Sequence, residues 1–188
     1  MQGVLLDMIS QNIIVVDGKV SLRESTQSEP ISCEIIDVNN FTNKGFVDGT
    51  FPLWFAFKNV QNSGISAYYS TQSEGNYIKI FDENTNSTMG KVLDGTDFAV
   101  DFTLADEINV ITVEVSGQEL KSISDLDFFA MKNLCIIGNE ICAFRNVKQL
   151  GDGVYELSHF LRARFGSNIE TTTDGKRFIL LSGYINRV

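Results

Sequence analysis

The chain has one histidine, two prolines, one tryptophan and three cysteines in 188 residues, and each scarcity narrows what it can do. With His159 as the sole histidine, the chain cannot by itself build a multi-histidine zinc centre, and any Ser-His-Asp or Cys-His arrangement has to run through that residue. No H-E-x-x-H, G-x-S-x-G or Q-A-C motif accompanies it. His159 stands between Ser158 and Phe160 at a predicted strand end and is read as a turn residue rather than a catalytic one. No G-K-[ST] follows a glycine-rich loop, so phosphate cradles are missing too, and no cofactor or metal is expected. With only Pro30 and Pro52 available, glycine and asparagine have to make the turns.

Basic charge is also scarce. Fifteen Lys and Arg against 24 Asp and Glu leave a formal charge of -9, which repels phosphate backbones and argues against nucleic acid as a partner. The imbalance is uneven, because from Arg145 onward Lys and Arg outnumber Asp and Glu. The three cysteines, Cys33, Cys135 and Cys142, lack C-x-x-C spacing, and two sit in the apolar runs "NLCIIG" and "EICAF". Buried free thiols from a reducing compartment are expected. No apolar run is long enough to span a bilayer as a helix, and "MQGVLLDMISQNIIVVDGK" lacks the basic start of a secretory signal, so no membrane insertion is expected.

What is present is a succession of short apolar or alternating runs: "GVLLDMI", "NIIVV", "VSLRE", "ISCEIIDV", "PLWFAFKNV", "ISAYYST", "YIKIFDE", "FAVDFTL", "NVITVEV", "LCIIG", "EICAFRNVKQL", "VYELS" and "RFILLSG". Turn signals punctuate them at Asp17-Gly18, Asp48-Gly49, Gly138-Asn139, Asp152-Gly153 and Asp174-Gly175. The pattern predicts a mainly β fold, a sandwich or barrel of antiparallel sheets, with tight hairpins at Gly138-Asn139 and Asp152-Gly153. Two short helices are expected. One lies in "SISDLDFFAMKN", capped by Ser124 or Asp125 and burying Leu126, Phe129 and Ala130. The other is "SHFLRARF", with Ser158 as its cap and Gly166 as its terminator.

Carboxylates are numerous, among them Asp7, Asp82, Glu83, Asp94, Asp106, Glu107, Asp125 and Asp127. A facing pair could hydrolyse a glycoside. Most, however, stand in turn-like contexts and are read as solvated. "DENTN", Asp82 to Asn86, lacks the glycine and distal glutamate of a calcium loop. The aromatic group around Trp54, Phe55, Phe57, Tyr68, Tyr69 and Tyr77 could stack on sugars, but "LWFAFK" reads as a strand buried on both faces. Trp54 and Tyr68 are the candidate glycan contacts of that alternative.

The most specific signal runs from Asn133 to Ser167, "NLCIIGNEICAFRNVKQLGDGVYELSHFLRARFGS", followed by "GKRFILLSG". This stretch resembles the tail-tip or baseplate hub proteins of long-tailed phages and of gene transfer agents. The matching positions are Gly138, Glu140, Phe144, Arg145, Gly151, Gly153, Tyr155, Leu157, Ser158, Leu161, Arg162, Arg164, Gly166 and Ser167. Phe160, His159 and Ala163 depart from the pattern. Ala163 replaces a glycine, which suggests ordinary helical or strand backbone there, and His159 stands where glycine is common. A weaker, collinear likeness reaches back to about residue 35.

The resemblance implies a single β-rich tail-hub domain over 1–188, with sub-lobes at 1–95 and 96–188. The length of such hub proteins makes the chain look like one internal piece, a split gene product or a cloned fragment. The implied role is structural and non-catalytic: a virion tail component made in the bacterial cytoplasm. Its implied partners are the distal tail protein and the end of the tail tube, with a homotrimer in the full assembly. Tyr155, Leu157, Ser158, Leu161, Arg162, Arg164 and Gly166 would form its structural and interface motif. Arg162 and Arg164 would pair with carboxylates and carbonyls within the chain or between subunits. Glycan recognition at a tail tip is the alternative, and a carboxylate-pair glycoside hydrolase the outside one.

Overall fold

The computed structural model describes residues 3–8, 13–16, 32–36, 54–58, 65–70, 76–95, 103–182 and 186–187. The runs "VSLRE" and most of "FAVDFTL", the turns at Asp17-Gly18 and Asp48-Gly49, and both prolines lie outside them. The described residues are mainly β, as the alternating runs predict. The strands are β1 (Gly3–Met8), β2 (Ile13–Val16), β3 (Ser32–Ile36), β4 (Trp54–Lys58), β5 (Ile65–Ser70), β6 (Ile78–Glu83), β7 (Met89–Gly95), β8 (Asp106–Ser116), β9 (Leu134–Ile137), β10 (Glu140–Gly151), β11 (Val154–Leu161), β12 (Arg177–Leu180) and β13 (Asn186–Arg187). One helix, α1 (Asp125–Phe129), lies between β8 and β9.

Six strands close an antiparallel barrel in the order β10-β11-β8-β7-β12-β9. Residues before position 96 supply β7 and later residues supply the other five. Two further sheets, β2-β1-β5-β6 and β13-β4-β3, are built from the remaining strands.

The difference between alternating and continuous apolar runs has a direct structural cause. In β8, Ile111, Val113 and Val115 are buried while Ile108, Val110 and Glu114 are exposed, so one face fills the barrel and the other meets solvent. In β9 all four residues are buried. Cys135 and Ile137 enter the barrel interior with Phe144, Tyr155, Leu157, Phe160 and Phe178. Leu134 and Ile136 belong to a second cluster with Ile36, Trp54, Ala56 and Phe128. Thus β3, β4 and α1 cover the outside of the barrel at β9, β10 and β12, and strands covered on both faces read as unbroken hydrophobic runs.

Both hairpins form where the turn signals place them. Ile137 pairs with Glu140 across Gly138-Asn139, and Gly151 pairs with Val154 across Asp152-Gly153. Gly138 and Gly153 have φ of 64° and 68°, the left-handed backbone that two-residue loops need and that glycine supplies without steric cost.

The helical expectations need two corrections. Ser124 caps α1, its side chain accepting from the Asp127 amide at 3.2 Å. The helix has only five residues, however, and buries Phe128, leaving Leu126 and Phe129 exposed. The second expected helix is absent: Ser158–Leu161 continue β11, and only a 3-10 turn, Arg164–Gly166, follows. His159, Ala163 and Phe165 have φ of 59°, 51° and 53°, which no right-handed helix tolerates. Ala163 therefore does not sit in ordinary backbone, contrary to what its replacement of glycine suggests.

Candidate functional site

The turn after β11 builds a buried ionic clamp. Arg162 is 1% exposed, Glu140 2% and Asp106 2%. Glu140 stands at the start of β10, just past the Gly138-Asn139 turn. Arg162 follows the last residue of β11, and Asp106 opens β8.

Arg162 donates from Nε to Glu140 Oε1 and from Nη2 to Glu140 Oε2, both at 2.7 Å, the two-pronged geometry that guanidinium and carboxylate share. It also donates from Nη1 to Asp106 Oδ2 at 3.3 Å and from Nη2 to the Glu170 carbonyl at 3.0 Å.

Two carboxylates against one guanidinium leave an excess negative charge in a buried place, and amide donors offset it. Glu140 Oε1 also accepts from the Ala163 N–H and Oε2 from the Glu170 N–H, each at 3.0 Å. Asp106 Oδ1 accepts from the N–H groups of Ile108 and Asn109 at 3.1 and 3.0 Å, and Oδ2 from Asn109 Nδ2 at 2.6 Å. Burial pushes the Asp106 carboxyl up, but the Asn109 and Ile108 donors and Arg162 outweigh it and hold the group below the usual carboxylate range. Burial alone would lower the Arg162 pKa; its bonds to Glu140 raise it instead.

An outer layer secures the same corner. Ser167 Oγ accepts from the Ile141 N–H at 2.9 Å and donates to the Arg164 carbonyl at 2.9 Å. Arg164 Nε donates to the Arg162 carbonyl at 2.6 Å. The Glu170 carboxylate accepts from Asn139 N–H, Asn139 Nδ2 and Lys176 Nζ at 3.2, 3.0 and 3.0 Å. Burial acts to raise Glu170, and these donors bring it below its ordinary value.

The residues singled out from the sequence fall into three groups. Tyr155, Leu157 and Leu161 are core side chains, the first two inside the barrel and Leu161 outside it. Arg162, Arg164, Gly166 and Ser167 form the clamp and its turn. Ser158 and His159 lie at a bulge of β11, where the His159 ring Nδ1 is 2.9 Å from Asn146 Nδ2.

Asp106, one of the carboxylates of which most are expected in solvated turns, is buried and structural. Its partner Arg162 lies 56 residues away, beyond the reach of any local signal. The clamp's carboxylate side chains are at most 2% exposed and are turned to protein donors. Among the described residues no group of three or more His, Cys, Asp or Glu could hold a metal ion, and no helix is long and apolar enough to cross a membrane.

Trp54 is 6% exposed, packed with Ile36 and Phe128, and gives no open ring face for a sugar. Tyr68 is half-buried on a different sheet, and the side chain of Tyr69 lies outside the described residues.

Residues 87–179 match the family model described as Rcc01698-like, C-terminal. The matched segment starts two residues before β7 and ends one residue short of the end of β12, so it covers nearly the whole barrel and every member of the clamp. No curated protein and no solved structure matches the chain.

Proposed function

We propose that the chain is a structural component of a phage or phage-like tail tip, a baseplate hub element that assembles with other tail proteins and catalyses no reaction. The observation that carries this reading is the Arg162–Glu140 clamp. The two halves of the hub-like signature, "GNE" at 138–140 and "LRARFGS" at 161–167, lie more than twenty residues apart in sequence and meet as one interlocked corner. Arg162, the most conspicuous charged group of that signature, is spent on internal bonds that tie the starts of β8 and β10 to the turn after β11. Such a corner suits a part that must hold its shape under load.

In the proposed assembly the neighbours are the distal tail protein and the end of the tail tube, the hub is a homotrimer, and the location is the virion tail after synthesis in the bacterial cytoplasm. The burial of Trp54 counts against the glycan-recognition alternative, of whose two named contacts only the half-buried Tyr68 keeps part of its surface open. Co-purification from cells that also express a distal tail protein and a tail-tube protein of a long-tailed phage-like particle tests the reading. A stoichiometric complex is expected. A chain that stays monomeric with those partners and instead turns over or binds an oligosaccharide would overturn it.

A further inference from the structure

We propose that Cys135 and Cys142 are a disulfide-forming pair, a covalent staple across the β9–β10 hairpin that the reduced fold already holds in position. The two residues are direct partners in the antiparallel ladder, and their Sγ atoms are 3.5 Å apart. Both are thiols, and both are buried inside the barrel. Directly opposed residues in antiparallel strands have Cα atoms about 4.5 to 5.5 Å apart, within the roughly 4.4 to 6.8 Å that a disulfide spans. Joining them therefore calls for side-chain rotation and no new strand pairing.

The place of the staple gives it a consequence. Cys142 is two residues beyond Glu140 on β10, so the bond would tie the strand that carries Glu140 to its neighbour and hold the carboxylate that Arg162 grips. Cys33 is outside this pair: it lies on β3, in another sheet and another apolar cluster.

Burial keeps the pair silent while the barrel is closed. It pushes the Cys135 thiol well above its ordinary value, and the contact with Cys142 adds to the effect, so little thiolate is present to react. The bond forms when the hairpin opens or while the chain folds. With a low-molecular-weight disulfide such as glutathione disulfide as oxidant, one cysteine thiolate attacks it, forming a mixed disulfide and releasing one glutathione thiolate. The second cysteine thiolate then attacks the protein-side sulfur and releases the other. Two protein thiols lose two protons and two electrons, and one disulfide becomes two glutathione molecules.

Trypsin cleavage after Lys132 and Arg145 places both cysteines in one peptide, Asn133 to Arg145, which makes the test direct. The full chain is refolded from urea in glutathione disulfide, and a second sample is held folded in sub-denaturing urea with the same oxidant. Both are denatured, treated with N-ethylmaleimide, digested and weighed.

The expected product is an unlabelled Asn133–Arg145 peptide lighter by two hydrogen atoms than its reduced form, with Cys33 labelled and a higher urea midpoint than the reduced protein. Two labelled cysteines in that peptide in both samples, a bond that includes Cys33, or a linked form with a lower midpoint would overturn the proposal.

Discussion

Arg162 and Glu140 share two buried hydrogen bonds of 2.7 Å, and the same carboxylate takes up the amide of Ala163. The arginine and the backbone beside it thus grip one acid from two sides. Most of what can be tested follows from that grip.

Replacing Arg162 with methionine strands two buried carboxylates and is expected to cost about 3 to 5 kcal/mol in urea unfolding. The cost should shrink when Glu140→Gln and Asp106→Asn are added, because the penalty is the uncompensated charge more than the lost bonds. Arg162→Lys should also destabilise, since an ammonium cannot reproduce the two-pronged contact. Additive effects in this series would show that the three side chains do not act as a unit.

Stability should depend on pH through Asp106 and Glu170. Both have folded pKa values below their ordinary ones, so the unfolded chain binds more protons near pH 4. Their contribution is fully present above the unfolded values, about 3.9 and 4.3, and is lost as pH falls through the lower folded ones. Unfolding free energy measured between pH 7 and 3 should fall on the acid side, and Asp106→Asn should flatten that fall. An unchanged slope in the variant would remove Asp106 from the account.

Ala163 has a left-handed backbone that costs a non-glycine residue about 1 to 2 kcal/mol, partly offset by the smaller entropy it loses on folding. Ala163→Gly is expected to raise the urea midpoint, by up to about 1 kcal/mol of stability, and Ala163→Val to lower it. A loss on introducing glycine would contradict the observed φ.

Gly138→Ala carries a double penalty. Its φ is 64°, and an added Cβ would stand 2.5 Å from Glu170 Oε2. A destabilisation of at least about 1 kcal/mol is expected, smaller when Glu170 is also replaced by alanine. Equal losses in both backgrounds would show that the contact with Glu170 carries none of it.

The fold is legible in the sequence where its determinant is local. Asp-Gly and Gly-Asn turns declare themselves because glycine relieves a specific backbone cost, and β8 declares itself because one face meets water. β7 does not stand out as an apolar run because "MGKVLDG" is short of hydrophobic residues; it belongs to the barrel through its partners β8 and β12. The segment after Ser158 looked helical because nothing in "HFLRARF" forbids a helix. The long-range demand of Glu140 for the Ala163 amide overrides that local preference. The burial of Asp106 is hidden for the same reason, and the buried face of α1 is not legible because a five-residue helix is too short to show a period.

The most direct test of the tail-tip reading is to locate the chain on particles. If the proposal holds, tailed particles purified from cells that express this chain, labelled with gold-conjugated antibody against it and viewed by electron microscopy, carry label at the distal end of the tail. Particles with intact tails, no label at that end and no peptide of this chain by mass spectrometry would contradict it.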